Sequence, residues 1–278
     1  MPNQPPKTLL TIAGTDPSGA AGIQVDLQVF RDFGFHGASV LTALVVQNTQ
    51  GVEGFTPVSE ADLSAQLDAV LGDLNPAAIK IGMVPSASTA RIIGAKLTRW
   101  FVVAGERPVV LDPVRTSGDG ARALSSEGAR AVLREELAGV TTLLTPNAPE
   151  GLALLDDVGV GALQDPLDAA HRLREAWGVD VLWKAGHMER EGEIRDVLAV
   201  EDGAKWLVPL STIEEDVRGT GCQLSSAIAA GLACGEELEV AVERARAYLN
   251  DLLHHRRAHI GGGRAVIARV GRTIEDAT

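Results

Sequence analysis

The chain has 278 residues, 45% of them hydrophobic, which is enough to build a sizeable core within one α/β domain. Its 25 basic and 37 acidic residues give a net charge of −12, which argues against nucleic-acid and anionic-membrane surfaces, because both need clustered Lys and Arg. Apolar stretches such as Ala38 to Val46 fall well short of the ~20 residues that cross a bilayer, and the N-terminus lacks a signal peptide's order, so a cytoplasmic protein is expected.

Short runs rich in Val, Ile and Leu predict strands over Thr8 to Ile12, Ala38 to Val46, Ala78 to Ile81, Val109 to Leu111, Thr142 to Leu144 and Val181 to Trp183. Periodic patterns between them predict helices over Ala21 to Phe33, Glu60 to Leu74, Ser86 to Val103, Ser125 to Leu137 and Pro166 to Trp177, several opened by Ser or Asp caps. Two further runs, Ile194 to Val200 and Lys205 to Val208, flank Glu201-Asp202-Gly203, which reads as a hairpin turn and therefore an antiparallel edge. Helices over Thr220 to Ala233 and Leu238 to His255 complete the pattern, the rhythm of a parallel sheet covered by helices. No repeat, low-complexity tract or polar linker interrupts it, so residues 1–278 read as a single domain with about six loose residues at each end. The two cysteines, Cys222 and Cys234, share one predicted helix. At ~1.5 Å of rise per residue they stand about 18 Å apart, too far for a disulfide.

In open α/β sheets the ligand sits outside the carboxyl ends of the strands, and small, polar and turn-forming residues crowd that edge here. In order they are Gly14 to Gly19, Gln47-Asn48-Thr49, Gly82-Met83, Asp112-Pro113-Val114, Thr145-Pro146-Asn147 and Lys184-Ala185-Gly186-His187. The sharpest local signal is Asp216-Val217-Arg218-Gly219-Thr220-Gly221-Cys222, followed by a helix of small residues. Glycines there let backbone approach a ligand, and the opening helix aims unpaired N–H groups and a partial positive charge at one point, as an anion hole requires. Cys222 lies in that helix's first turn, where the same field is expected to pull a thiol below its free value of about 8.5. On chemistry alone it is either a base for an attacking hydroxyl or a small packing residue. The loop from Gly14 to Gly22 matches neither a dinucleotide fingerprint nor a P-loop.

Taken together, Thr11 to Leu27, Gln47 to Val52, Lys80-Ile81-Gly82-Met83, Leu111-Asp112-Pro113-Val114, Thr145-Pro146-Asn147 with Glu150, and Gly219-Thr220-Gly221-Cys222 resemble the hydroxymethylpyrimidine/phosphomethylpyrimidine kinases of thiamine biosynthesis. Every block falls in order from about Thr8 to Leu252. The resemblance implies a three-layer α/β/α ribokinase-like fold with a mostly parallel central sheet. It also implies an enzyme that uses ATP and Mg²⁺ to phosphorylate 4-amino-5-hydroxymethyl-2-methylpyrimidine and then its monophosphate.

Residue by residue, the resemblance makes Cys222 the catalytic base and Gly219, Thr220 and Gly221 the anion hole. Gln47 is implied to read the pyrimidine, because one carboxamide pairs with an amino group beside a ring nitrogen. Gly14, Ala21, Asp26, Met83 and Val114 are implied to form the rest of the pocket, with Asp26 accepting from the amino group. Asn147, Glu150 and Lys184 are implied to hold the nucleotide, and Asp112 with Glu150 the Mg²⁺. Relatives often pair through sheet edges or helices, so a homodimer is one expected assembly.

Three departures stand out. Arg115-Thr116 runs straight into Ser117-Gly118 where relatives carry a longer segment, Arg218 and Gln223 replace the usual His and Thr around the turn, and Ala185 replaces a common Gly. The rival readings are a pyridoxal or pyridoxine kinase of the same superfamily and a non-catalytic aminopyrimidine-binding protein. The intact Gly219 to Cys222 turn with Asn147 and Glu150 speaks against the second.

Overall fold

The computed structural model describes residues 6–116, 123–161, 163–184, 193–211 and 213–269, without the side chains of 127–131. In chain order its elements begin β1 (Thr8–Ala13), α1 (Gly22–Asp32), β2 (His36–Leu41), β3 (Ala43–Gln47), β4 (Val52–Pro57), α2 (Glu60–Asp73), β5 (Ala78–Ile81) and α3 (Ala87–Ala104). They continue β6 (Val109–Leu111), α4 (Glu127–Leu137), β7 (Leu143–Leu144), α5 (Ala148–Asp157), α6 (Pro166–Trp177), β8 (Asp180–Trp183), β9 (Glu193–Ile194) and β10 (Val197–Val200). The last are β11 (Gly203–Trp206), β12 (Leu210–Ser211), α7 (Thr220–Ala233), α8 (Leu238–His255), β13 (Arg257–Ala258) and β14 (Val266–Ile267).

Eight strands form the main sheet in the order β11-β10-β8-β7-β6-β5-β1-β2. From β2 to β8 every pair is parallel, and β10 and β11 add antiparallel at one edge. Period-two alternation divides the core between the two faces. Leu10, Ile12, Ile79, Ile81, Val109 and Leu111 pack with residues of α2 to α6. Val110, Leu143 and Leu182 pack with residues of α1, α7 and α8. This is the expected three-layer α/β/α architecture with a mostly parallel sheet.

Local chemistry sets the helix starts. Ser59 Oγ accepts from the Asp62 N–H and Ser86 Oγ from the Thr89 N–H, both at 3.1 Å. Asn147 and Glu150 form a reciprocal capping box that opens α5.

The run from Ala38 to Val46 is two strands rather than one. Fully buried Thr42 interrupts it, donating its N–H to the Ala13 carbonyl at 3.0 Å and its Oγ1 to the Met83 carbonyl at 2.7 Å. So β2 stays beside β1, while β3 leaves the sheet and pairs with β4. Thr15 fastens that hairpin to the loop after β1, donating its N–H to the Ala43 carbonyl and accepting at Oγ1 from the Val45 N–H. The run from Ile194 to Val200 likewise divides into β9 and β10, while the Glu201-Asp202-Gly203 turn is as expected, with Gly203 at φ 127°. Among the described residues no helix is long and apolar enough to cross a membrane.

Candidate active site

Residues that follow five neighbouring strands line one cavity of about 380 Å³: Gly14 after β1, Met83 after β5, Asp112 after β6, Asn147 after β7 and Lys184 after β8. The turn opening α7 closes the cavity from the other layer, with Gly219, Thr220, Gly221 and Cys222 all in its wall. Gly219 holds φ 76°, and a Cβ there would stand 1.9 Å from the Ala20 carbonyl oxygen, so only glycine fits. No side chain caps α7, which leaves the N–H groups of its first turn for an anion.

That turn meets an ionic cluster. A Cβ on Gly221 would lie 3.3 Å from Lys184 Nζ and 3.5 Å from Asp112 Oδ2. Lys184 donates to Asp112 Oδ1 at 3.0 Å, and Glu150 Oε2 accepts from the Asn147 N–H at 2.8 Å. Burial pushes the Glu150 carboxyl above the usual carboxylate range; Lys184 draws it back and Asp112 pushes it further. Burial also works against the Lys184 ammonium, but Asp112 and Glu150 override it and hold the lysine above its ordinary value. Two carboxylates sharing one lysine form a donor set that suits Mg²⁺, which takes one or two carboxylates and fills its remaining positions with phosphate oxygens and water.

Cys222 reverses the expectation drawn from helix position. Burial pushes its thiol up to about 11, and the opposing pull of the Lys80 ammonium and the Gly22 N–H is smaller. Lys80, which also lines the cavity, did not figure among the expected site residues. Its partner Asp26 is placed differently from the other expected pocket residues. Asp26 is fully buried and lies outside the cavity wall. Its Oδ1 accepts from Lys80 Nζ and Ser226 Oγ at 3.1 and 2.8 Å, and its Oδ2 from Lys80 Nζ and Thr11 Oγ1 at 2.9 and 2.6 Å. Three donor groups make four hydrogen bonds to this carboxylate, which ties Asp26 to the fold rather than to a substrate amino group. A sequence signal did exist: Lys80 stands inside the apolar strand Ala78-Ile79-Lys80-Ile81, and a buried charge demands a partner.

Gly14, Ala21, Gln47, Met83 and Val114 share the cavity wall. A Cβ on Gly14 would meet Met83 Sδ at 3.0 Å and Val45 at 3.2 Å, so glycine there keeps the space open. Gln47 Nε2 donates to the Thr15 carbonyl at 3.2 Å, and Arg218 Nη2 donates to Gln47 Oε1 at 2.8 Å. This Arg218 contact was not foreseen. The ends of the shortened loop at Arg115-Thr116 are joined: Thr116 bridges Ala123 and Leu124 N–H donates to the Arg115 carbonyl at 2.9 Å. Ser117-Gly118 and Ala185-Gly186-His187 lie outside the described residues.

A three-layer α/β/α fold whose strand ends and an uncapped helix N-terminus line one cavity has the architecture expected of the ribokinase-like class. Comparison with known proteins narrows this. The model of the phosphomethylpyrimidine kinase family matches residues 16–267, and the chain belongs to that family. It is 40% identical over 271 residues to a hydroxymethylpyrimidine/phosphomethylpyrimidine kinase of Rhizobium meliloti, covering 96% of this chain and 98% of that one. It is also 40% identical over 247 residues to the thiamine biosynthesis bifunctional protein ThiED of Geobacter sulfurreducens; the match covers 88% of this chain but 49% of that longer protein.

Solved structures agree on the fold. A phosphomethylpyrimidine kinase of Clostridium difficile superposes with a TM-score of 0.74 at 32% identity, over 89% of this chain and 99% of that one. A Bacillus subtilis pyridoxal kinase in an ADP complex reaches 0.81 at 26% identity, over 94% and 96%.

Proposed function

We propose that this chain transfers the γ-phosphoryl group of ATP to the hydroxyl of 4-amino-5-hydroxymethyl-2-methylpyrimidine, and then to the monophosphate so formed, giving the diphosphate for thiamine biosynthesis. The observation that carries this reading is a single cavity that joins the Gln47 carboxamide to the Gly219–Cys222 turn. Membership of the phosphomethylpyrimidine kinase family supports it.

In this reading Gln47 accepts from the ring amino group and donates to the neighbouring ring nitrogen. Met83 and Val114 supply apolar contact to the ring, and Gly14 and Ala21 leave room for it. The hydroxyl oxygen attacks the γ-phosphorus in line; its bond to phosphorus forms as the bond to the β–γ bridging oxygen breaks, and ADP leaves. Backbone N–H groups from Gly219 to Gly221 donate to the equatorial oxygens as charge builds there. Cys222 accepts the hydroxyl proton in its thiolate form, the minority species that the nearby Lys80 ammonium stabilises. Lys184 and Asn147 face the nucleotide phosphates. Asp112 and Glu150 would hold Mg²⁺, which when bound neutralises phosphate charge. A cytoplasmic location and a homodimer belong to the same reading.

A time course with Mg-ATP and the pyrimidine alcohol, followed by phosphorus NMR, tests it. The monophosphate should rise and then decline as the diphosphate accumulates. ADP release without either pyrimidine phosphate would contradict the reading.

A further inference from the structure

We propose that Arg218 is a positioning residue that locks the Gln47 carboxamide in one of its two flip states, and thereby sets the cavity's preference for a 4-aminopyrimidine over a pyridine bearing a 4-aldehyde. The proposal rests on the reading of Gln47 as the group that meets the ring.

The lock follows from which atoms can donate. A guanidinium carries only donors and keeps its charge at any working pH, and a backbone carbonyl only accepts. The Gln47 atom 2.8 Å from Arg218 Nη2 must therefore be its oxygen, and the atom 3.2 Å from the Thr15 carbonyl its nitrogen. Flipping the amide would set NH₂ against the guanidinium and oxygen against a carbonyl. Both hydrogen bonds would become repulsions, which disfavours the flipped state by about tenfold or more.

Arg218 is itself held in place. It is 5% exposed, and its backbone N–H donates to the Ala265 carbonyl at 2.9 Å. Its Nη2 lies 4.0 Å from Asp16 Oδ2. Asp16 is fully buried with Oδ1 taken by the Ser18 N–H and hydroxyl, so Oδ2 is left to face the guanidinium.

What remains on Gln47 is one lone pair of Oε1 beside one hydrogen of Nε2. An aminopyrimidine offers the complementary edge, an amino N–H beside a ring nitrogen. Pyridoxal, with its hydroxymethyl group at the reacting position, offers an aldehyde oxygen where the pyrimidine has its amino group and a phenolic hydroxyl where the pyrimidine has its ring nitrogen. A free glutamine would turn its NH₂ toward the aldehyde oxygen. Gln47 held by Arg218 cannot.

The test compares kcat/KM for the aminopyrimidine alcohol and for pyridoxal, at saturating Mg-ATP, in the wild type, R218Q, R218K and R218M. Glutamine pairs with the Gln47 amide in either orientation, so R218Q should lower the aminopyrimidine-to-pyridoxal ratio by about tenfold or more. The loss should fall on KM for the pyrimidine, with KM for ATP unchanged. R218K keeps a donor-only cation and should stay within about threefold of the wild-type ratio. Methionine has no N–H or O–H to hold the Gln47 oxygen, so R218M should lower the ratio too, and it carries the comparison if R218Q does not fold. A wild-type ratio in R218Q or R218M, or equal losses on both substrates, overturns the role of Arg218 while leaving the substrate reading intact. A wild-type enzyme that phosphorylates pyridoxal and not the aminopyrimidine overturns both.

Discussion

At Cys222 two fields oppose each other, and their sizes decide the outcome. A helix N-terminus stabilises a nearby negative charge by about 0.3–1 kcal/mol at the surface, whereas full burial can raise an acid by as much as ~3–5 pKa units. Desolvation outweighs the helix field, and although the side chain keeps some exposure the thiol is pushed up to about 11. Since the raised value favours the protonated form, the thiolate is a minority species at neutral pH and grows as the pH rises toward that value. Alkylation of Cys222 by iodoacetamide, followed by mass spectrometry, should therefore be slow at neutral pH and climb through pH 10. A plateau near pH 8 would contradict the buried environment. Replacement by alanine tests the proposed role: in Cys222→Ala, kcat for the first phosphorylation should fall by about 10²- to 10⁴-fold, with pyrimidine binding retained. The second phosphorylation, in which an already ionised phosphate attacks, should lose less. Unchanged turnover of the alcohol would remove Cys222 as the base. The identity of this residue was legible in the sequence through the Gly-Thr-Gly-Cys pattern, but its ionisation was not, because desolvation depends on what the fold packs around it.

Between elements, the buried Lys80–Asp26 pair joins β5 to α1, and Ser226 and Thr11 extend it to α7 and β1. Both charges are fully buried. Burial alone would lower the Lys80 ammonium, and Asp26 overrides it to hold the group well above its ordinary value. Removing one partner strands the other charge, so Lys80→Met should cost about 3–5 kcal/mol of unfolding free energy in urea, while the double variant Lys80→Met, Asp26→Leu should regain much of it. Additive losses in that cycle would show that the pair does not interact. Most helices could be placed within one or two residues because caps and periodicity are local, as at Pro166–Trp177. The break at Thr42 could not, since it arises from hydrogen bonds to Ala13 and Met83, residues distant in sequence. The surroundings of Asp26 were not legible for a similar reason: family position named the residue, while its partner Lys80 lies 54 residues away.

For the molecule as a whole, the alternation of apolar runs and helical patterns carried the fold, because a parallel sheet covered on both faces leaves that mark in every strand. The small strands β12, β13 and β14 left none, being two residues each and set by tertiary contacts. Most of the site was legible because strand ends gather on one edge of such a sheet, and Gly14, Met83, Asp112, Asn147 and Lys184 do meet there. Arg218 escaped because its partner Gln47 comes from a hairpin 171 residues earlier.

The central claim is that this cavity selects an aminopyrimidine for phosphoryl transfer. The most direct measurement is a competition assay in which the purified protein and Mg-ATP meet equal concentrations of the pyrimidine alcohol, pyridoxal and pyridoxine, with products resolved by chromatography. The account predicts that pyrimidine monophosphate and then diphosphate dominate; turnover confined to the vitamin B6 compounds would contradict it.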